Sequence, residues 1–311
     1  TRTDDTCGWS EYRNRILKYD FNGNIIWDRM NIYNYASGYK SISLSPEGYL
    51  YIAVSGWNRI DRIDTYGNHI VFIDGTVSGN ILFNRPTGVA VDKDGNVYVV
   101  DSGNQRILKY NSSGTYLGKW GKYGLENGQF INPYAISIDA NQVIYVSDID
   151  NNRIQKFDTN GNYLGQFGTT GSGNGQFRSP QAMAFDQDGN IFIADTNNGR
   201  VQKLDTSGKF LGKWTSYYKV SGTSIVTDPV GMFIDSTGTL YIANKTTFGK
   251  LFTRYSMVSD LGISSGVLDP SFNPNKLSYK AAVSSSVKEI SLNIKTNVLS
   301  QVTINGVVTT A

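Results

Sequence analysis

Three aspartates, Asp101, Asp148 and Asp195, each close an apolar stretch, and each is followed five residues later by an arginine: Arg106, Arg153 and Arg200. Carboxylates gathered at one rim could hold a cation. A carboxylate beside its own arginine would instead make a charge-assisted bond and accept backbone N–H groups of the turn between them. The recurrence of both partners favours this structural pairing, because catalytic constellations break symmetry. The segments starting at Asp92 and Asp186, Asp-Lys-Asp-Gly-Asn and Asp-Gln-Asp-Gly-Asn, open like calcium loops but lack the bidentate Glu at the twelfth position. They read as tight turns with Gly95 and Gly189 at positive φ. His69 is the only histidine and Cys7 the only cysteine, so no intrachain disulfide or cysteine-based zinc site can form. The sequence has no Gly-rich phosphate loop, nucleophile elbow or paired Cys/His set. These residues predict no catalytic group, no metal and no cofactor.

A repeat positions them. Arg59, Arg106, Arg153 and Arg200 stand 47 residues apart, and Gly67, Gly114, Gly161 and Gly208 keep the same step, as do Asp92, Asp139 and Asp186. Within one unit, GVAVD, NVYVVD, RILKYN and TYLGKW are β-rich segments bounded by turn residues. Four short strands, A to D, in a unit of this length predict a propeller blade. Strand A carries small residues at alternate positions (Gly88 and Ala90, Ala135 and Ser137, Ala182 and Ala184), as crowding near an axis requires. The units are 1–27, 39–73, 84–121, 131–168, 178–214 and 227–256, which predicts six blades. The first holds only later strands and the last has no clear fourth. An upstream segment is expected to supply what is missing, because an open ring would leave strand edges exposed.

The units DSGNQRILKYNSSG, DIDNNRIQKFDTNG and DTNNGRVQKLDTSG, with GSGNGQF connections, resemble NHL repeats over about residues 10–256. The resemblance implies an all-β, six-bladed propeller. Val54 and Asn244 stand where other blades carry Asp, and Lys250 replaces Arg. After Ser256 the register is lost, and LGISSGVLDPSFNPNKLSY resembles the bacterial cadherin-like β-sandwich repeat, a surface-protein module. The expected domains are the propeller over 1–256 and the N-terminal part of a truncated sandwich over 257–311.

Lyases with NHL-like propellers use histidine at the central face, whereas His69 falls in an outermost strand and is expected at the surface. A lactonase-like site needs acidic and amide ligands at the start of the inner strands, where this chain has Lys40, Thr87, Tyr134, Gln181 and Val230. RNA-binding NHL propellers use a basic face; here Arg29, Arg85, Lys122 and Arg178 share theirs with Asp28, Asp74 and Glu126, and net charge is only +3. The charged fraction is low, at 18%, and glycine is abundant, at 33 residues, as in turn-rich β proteins. No apolar run approaches the about 18 residues that span a bilayer.

The remaining expectation is a non-enzymatic extracellular or cell-surface module that recognises a glycan or polypeptide. It would act as a monomer within a longer multidomain chain, with no nucleic acid and no membrane insertion. Connections between blades and B-to-C turns share one face because each strand reverses direction. On that face Trp57 replaces Asn104, Asn151 and Asn198, Tyr33 and Tyr35 fall between blades 1 and 2, and Tyr217 and Tyr218 between blades 5 and 6. These five aromatics are the candidate ligand-binding residues.

Overall fold

The structure is a computed structural model. It describes residues 15–19, 25–30, 38–73, 82–219, 222–225, 228–235, 238–244 and 248–251, and beyond them 260–263, 267–269, 280–282, 292–295, 301–304 and 307–310. Two compact units divide the chain: one of 1–233 with 242–249, and one of 234–241 with 250–311.

The first unit is an all-β propeller with four complete blades among the described residues. Blade 2 is Tyr39–Leu44, Leu50–Val54, Arg59–Ile63 and His69–Ile73, and blade 3 is Pro86–Val91, Val97–Asp101, Arg106–Tyr110 and Tyr116–Trp120. Blade 4 is Pro133–Ile138, Ile144–Asp148, Arg153–Phe157 and Tyr163–Phe167, and blade 5 is Pro180–Phe185, Ile191–Asp195, Arg200–Leu204 and Phe210–Trp214. Each is an antiparallel sheet in chain order A to D. Before them in the chain, Arg15–Tyr19 pairs with Ile25–Met30 as a two-stranded sheet. In the second unit Asp260–Ile263 pairs with Leu292–Lys295, Val267–Asp269 with Lys280–Ala282, and Gln301–Ile304 with Val307–Thr310.

The core lies between blades. Tyr51, Ala53 and Ile60 of blade 2 pack on Val89, Val97 and Val99 of blade 3. Tyr98, Val100 and Ile107 then pack on Ile136, Ile144 and Val146 of blade 4, and Tyr145 and Ile154 on Met183, Ile191 and Ile193 of blade 5. Strand B is therefore covered on both faces, which explains its continuous apolar runs, while strand D alternates and leaves Leu117, Leu164 and Leu211 exposed. Successive inner strands approach closely. A Cβ on Gly88 would lie 2.8 Å from the Tyr134 carbonyl oxygen and 2.8 Å from the Val100 side chain, so only glycine fits.

The A-to-B hairpins of blades 3 to 5 are Asx turns, whereas Ser45 closes that of blade 2. Asp92 Oδ1 accepts from the backbone of Asp94 and Asn96 at 2.9 and 2.8 Å, and Oδ2 accepts from the Tyr98 hydroxyl at 2.9 Å. Both carboxylate oxygens are thus engaged in closing the turn, with Gly95 at φ 81°. On this same face, Arg62, Lys109 and Lys156 each reach into the second hairpin of the next blade, donating to the carbonyls of Ser112, Thr159 and Thr206 at 3.2, 2.9 and 3.0 Å.

Candidate functional site

On the opposite face the repeated Asp–Arg pairs are formed as the sequence predicts. Arg106, Arg153 and Arg200 place Nε 2.7, 2.8 and 2.6 Å from Oδ2 of Asp101, Asp148 and Asp195. The backbone donors differ from those expected. They come not from the B-to-C turn but from the connection entering the blade: Asn84, Ile131 and Arg178 donate to Oδ1 at 2.6, 2.8 and 2.8 Å. The turn contributes a side chain instead, through the amides of Asn104, Asn151 and Asn198. Its own N–H groups are used elsewhere, as when Gly103 donates to the Asn84 carbonyl.

The guanidinium groups extend the same bracket. Arg153 donates to the carbonyls of Leu125, Glu126 and Gln129, and Arg200 to those of Ser172, Gly173 and Gln176. Gln155 and Gln202 bridge Asp148 and Asp195 to the same connections. All three aspartates are fully buried. Burial pushes the Asp148 carboxyl up, against the Asn151, Arg153 and Ile131 donors that draw it down. The carboxylates serve three separate connections and do not meet at one point.

A second set of bonds, carrying no sequence signal that was recognised, joins neighbouring blades. Each B-to-C turn ends on a left-handed residue: Asn58, Gln105 and Asn152, at φ 51, 55 and 54°. Their side-chain oxygens accept from the backbone of Arg85, Asn132 and Ser179 at 2.7, 2.6 and 2.9 Å. These partners are also left-handed and each precedes the proline that opens the next strand A. The 47-residue recurrence of an amide side chain at 58, 105 and 152 was the available signal.

Blade 2 departs from this scheme. Asp61, buried in strand C, is the carboxylate there, and Arg59 meets it with Nε 2.7 Å from Oδ1 and a terminal nitrogen 3.1 Å from Oδ2. Only the second contact has hydrogen-bond alignment; Arg59 Nε and Asp61 Oδ1 make none. His69 Nε2 lies 2.8 Å from Asp61 Oδ2. His69 is exposed in the outermost strand, as expected, and its ring is anchored on a buried carboxylate, because in this blade the carboxylate stands in strand C and not at the end of strand B. Burial, then Asp61, raises the Tyr39 hydroxyl.

Of the five aromatics, Trp57 ends the short 3-10 turn Ser55–Trp57, aligned with Ser102–Asn104 and Thr196–Asn198. It is half-buried, packs on Ile52, Val54 and Ile63, and carries the Arg59 guanidinium 4.4 Å above its ring. Tyr217 and Tyr218 were expected in a connection; they lie in the strand Ser216–Lys219, pairing with Ser224 and Thr223 of Gly222–Ile225. This strand lies next to Phe248–Leu251 in a five-stranded sheet, so the fourth strand of the last unit, expected from an upstream segment, is supplied by 216–219. Tyr33 and Tyr35 lie outside the described residues. At the start of the inner strands Thr87 is buried and donates to the Tyr134 carbonyl at 2.8 Å, joining adjacent blades.

The NHL repeat family model matches residues 83–110 and 177–204. No curated protein matches the chain by sequence. Among solved structures, the chain is similar to a catalytically inactive virginiamycin B lyase from Staphylococcus aureus with quinupristin, at 16% identity over 78% of this chain and 75% of that one, TM-score 0.56. It is also similar to a chain of a nidogen/laminin complex, at 15% identity over 76% and 84%, TM-score 0.55. A protein of unknown function from Bacteroides caccae aligns at 19% identity over 76% and 80%, TM-score 0.53. At these identities the likeness is one of fold, and a fold shared by a lyase and a chain of a nidogen/laminin complex carries no single activity.

Proposed function

We propose that the chain is a non-enzymatic binding or scaffold module, acting outside the cell or at its surface, that recognises a glycan or a polypeptide through the face built from interblade connections and B-to-C turns. The supporting observation is the use made of the repeated polar groups there. Asp101, Asp148 and Asp195 are fully buried and engaged with arginine, asparagine and backbone donors that hold the connections. Loops braced this way form a rigid platform, and recognition concentrates on loops set on rigid scaffolds. Trp57, Tyr33, Tyr35, Tyr217 and Tyr218 are the proposed contact residues. The whole chain on a glycan array and a peptide array should bind one class, and Trp57→Ala with Tyr218→Ala should abolish that binding. Unchanged binding in this double variant would overturn the assignment.

The proposed architecture is six blades, followed over 257–311 by part of a cadherin-like sandwich. Ile42 and Leu44 on strand A of blade 2 are 53% and 63% exposed, whereas Val89, Ile136 and Met183, which match Ile42 in blades 3 to 5, are 2%, 6% and 6% exposed. That contrast supports a further inner strand belonging against blade 2. A sixth inner hairpin is supported by Asp235, which accepts from Thr239 N and the Tyr241 hydroxyl at 2.9 and 3.1 Å, as Asp92 does from Asn96 and Tyr98. The proposed context is a monomeric module of a longer multidomain protein, with neither nucleic acid nor cofactor bound and no insertion into membrane.

A further inference from the structure

Two connections of this face have the same backbone. In residues 121–131, Gly124 N donates to the Phe130 carbonyl at 3.1 Å and Gln129 N to that of Glu126 at 3.1 Å; in 168–178, Gly171 N donates to the Phe177 carbonyl at 3.1 Å and Gln176 N to that of Gly173 at 3.2 Å. Phe130 and Phe177 are both fully buried beneath them. Arg153 and Arg200 bind them at matching carbonyls, both at 2.7 Å in the case of Leu125 and Ser172. Gly128 N and Gly175 N donate to Gln155 and Gln202 in the same way.

The outward side chains differ. Lys122, Tyr123 and Leu125 stand where the second connection has Thr169, Thr170 and Ser172. Tyr123 is 71% and Leu125 67% exposed. The second connection forms without a large apolar group at either position, so the fold does not require them. Two large apolar side chains held in water on one rigid loop mark a contact surface. Charge accompanies them: Lys122, Arg85 and Arg178 are exposed and make no ion pair among the described residues, against two exposed carboxylates, Glu126 in the same loop and Asp150 in the turn beside it. The backbone N–H groups of Arg85 and Arg178 bond Asn58 and Asp195, at the entries to blades 3 and 5.

We propose that residues 122–125 form the anchor of a polypeptide-binding site, whose ligand is a segment with apolar side chains to cover Tyr123 and Leu125 and acidic side chains to meet Lys122, Arg85 and Arg178. This rests on the reading of this face as the binding face and narrows its ligand to an acidic, apolar polypeptide. Complementary charge sets partner choice, while the buried apolar anchors supply most of the affinity.

The test is selection of a phage-displayed random 12-residue peptide library on the whole chain, followed by titration of the enriched peptides as synthetic probes. Enrichment in Asp, Glu and large apolar residues is expected. Replacing Tyr123→Thr with Leu125→Ser should weaken the probes at least about tenfold, or 1.4 kcal/mol. Lys122→Thr should lower affinity less and flatten its salt dependence. These replacements reproduce the neighbouring connection, so loss of binding is not loss of fold, and an unchanged melting temperature checks this. Absence of enrichment, enrichment of basic peptides, or probes that bind the double variant equally well would overturn the proposal. Binding lost in Trp57→Ala but retained in the loop variants would sink this inference alone and leave the wider reading of the face standing.

Discussion

In blades 4 and 5 a buried carboxylate at the end of strand B gathers an arginine, an asparagine, a glutamine and a backbone N–H; in blade 2 that position is Val54, and the carboxylate stands seven residues later, at Asp61. Two arrangements result from nearly the same residue types. Asp148 and Asp195 draw partners from the connection and so brace a loop against the sheet. Asp61 draws Arg59 and His69 from strands C and D of its own blade and so braces the outer half of the sheet. The arginine keeps its register in both cases, since Arg59, Arg153 and Arg200 all open strand C. What the comparison teaches is that the arginine is the fixed element and the carboxylate decides which part of the blade it holds.

The largest effect should come from removing a carboxylate where the bracket is most buried. Asp148→Ala strands the Arg153 guanidinium, which is almost wholly buried, and frees the Ile131 N–H and the Asn151 amide together. Breaking a buried pair on one side costs about 3–5 kcal/mol, to be read from urea unfolding. Asp101→Ala should cost less, because the Arg106 side chain is more exposed and Leu108 replaces the glutamine seen in blades 4 and 5. Equal losses at the two sites would break the idea that burial of the arginine sets the bracket's strength.

A double-mutant cycle sharpens the comparison itself. Val54→Asp alone adds a second carboxylate beside buried Asp61, and Asp61→Gln alone leaves Arg59 and His69 without their partner. Made together they write the pattern of blades 4 and 5 into blade 2, with Asp at the end of strand B and Gln in strand C. The pair should therefore be more stable than the sum of the single losses, with a coupling of about 1–3 kcal/mol. Additive losses would mean that Arg59 cannot turn to a carboxylate at position 54, and that the register of the arginine does not govern the arrangement.

Much of this was legible before the structure. The 47-residue step of Arg, Gly and Asp located the strands, the turns and the Asp–Arg pairs, because side chains repeating at one spacing sit in one environment. The donors to the aspartates were not legible: they are backbone groups of Asn84, Ile131 and Arg178, whose side chains share nothing. The stitch between blades was hidden for a related reason, since its acceptors change between Asn and Gln and its donors are again backbone. The Asp61–His69 contact escaped because repeat logic describes what blades share, and this contact exists only where blade 2 differs. The strand carrying Tyr217 and Tyr218 is not legible because it precedes the inner strands of the sheet it joins, whereas the fourth strand of every regular unit follows them.

The smallest expected effect separates buried carboxylates from those of the turns on the opposite face. Asp205 accepts from the Ser207 hydroxyl at 2.6 Å and from the backbone of Ser207 and Lys209 at 2.9 and 3.0 Å. The Ser207 hydroxyl first, then the Lys209 N–H, hold its carboxyl below the ordinary range. A carboxyl with a depressed folded pKa binds its proton less well when folded. Its contribution is therefore complete above the unfolded pKa and is lost as pH falls through the folded one. Asp205→Asn keeps a turn-forming side chain but removes the charge, so the wild-type advantage in urea midpoint should be present at neutral pH. It should shrink below about pH 4, where carboxylates titrate. The same series on Asp148→Asn should not follow this course, because burial raises that carboxyl and gives its titration the opposite sign. An advantage for Asp205 that stays constant to acid pH would show that its turn is held by shape and not by charge.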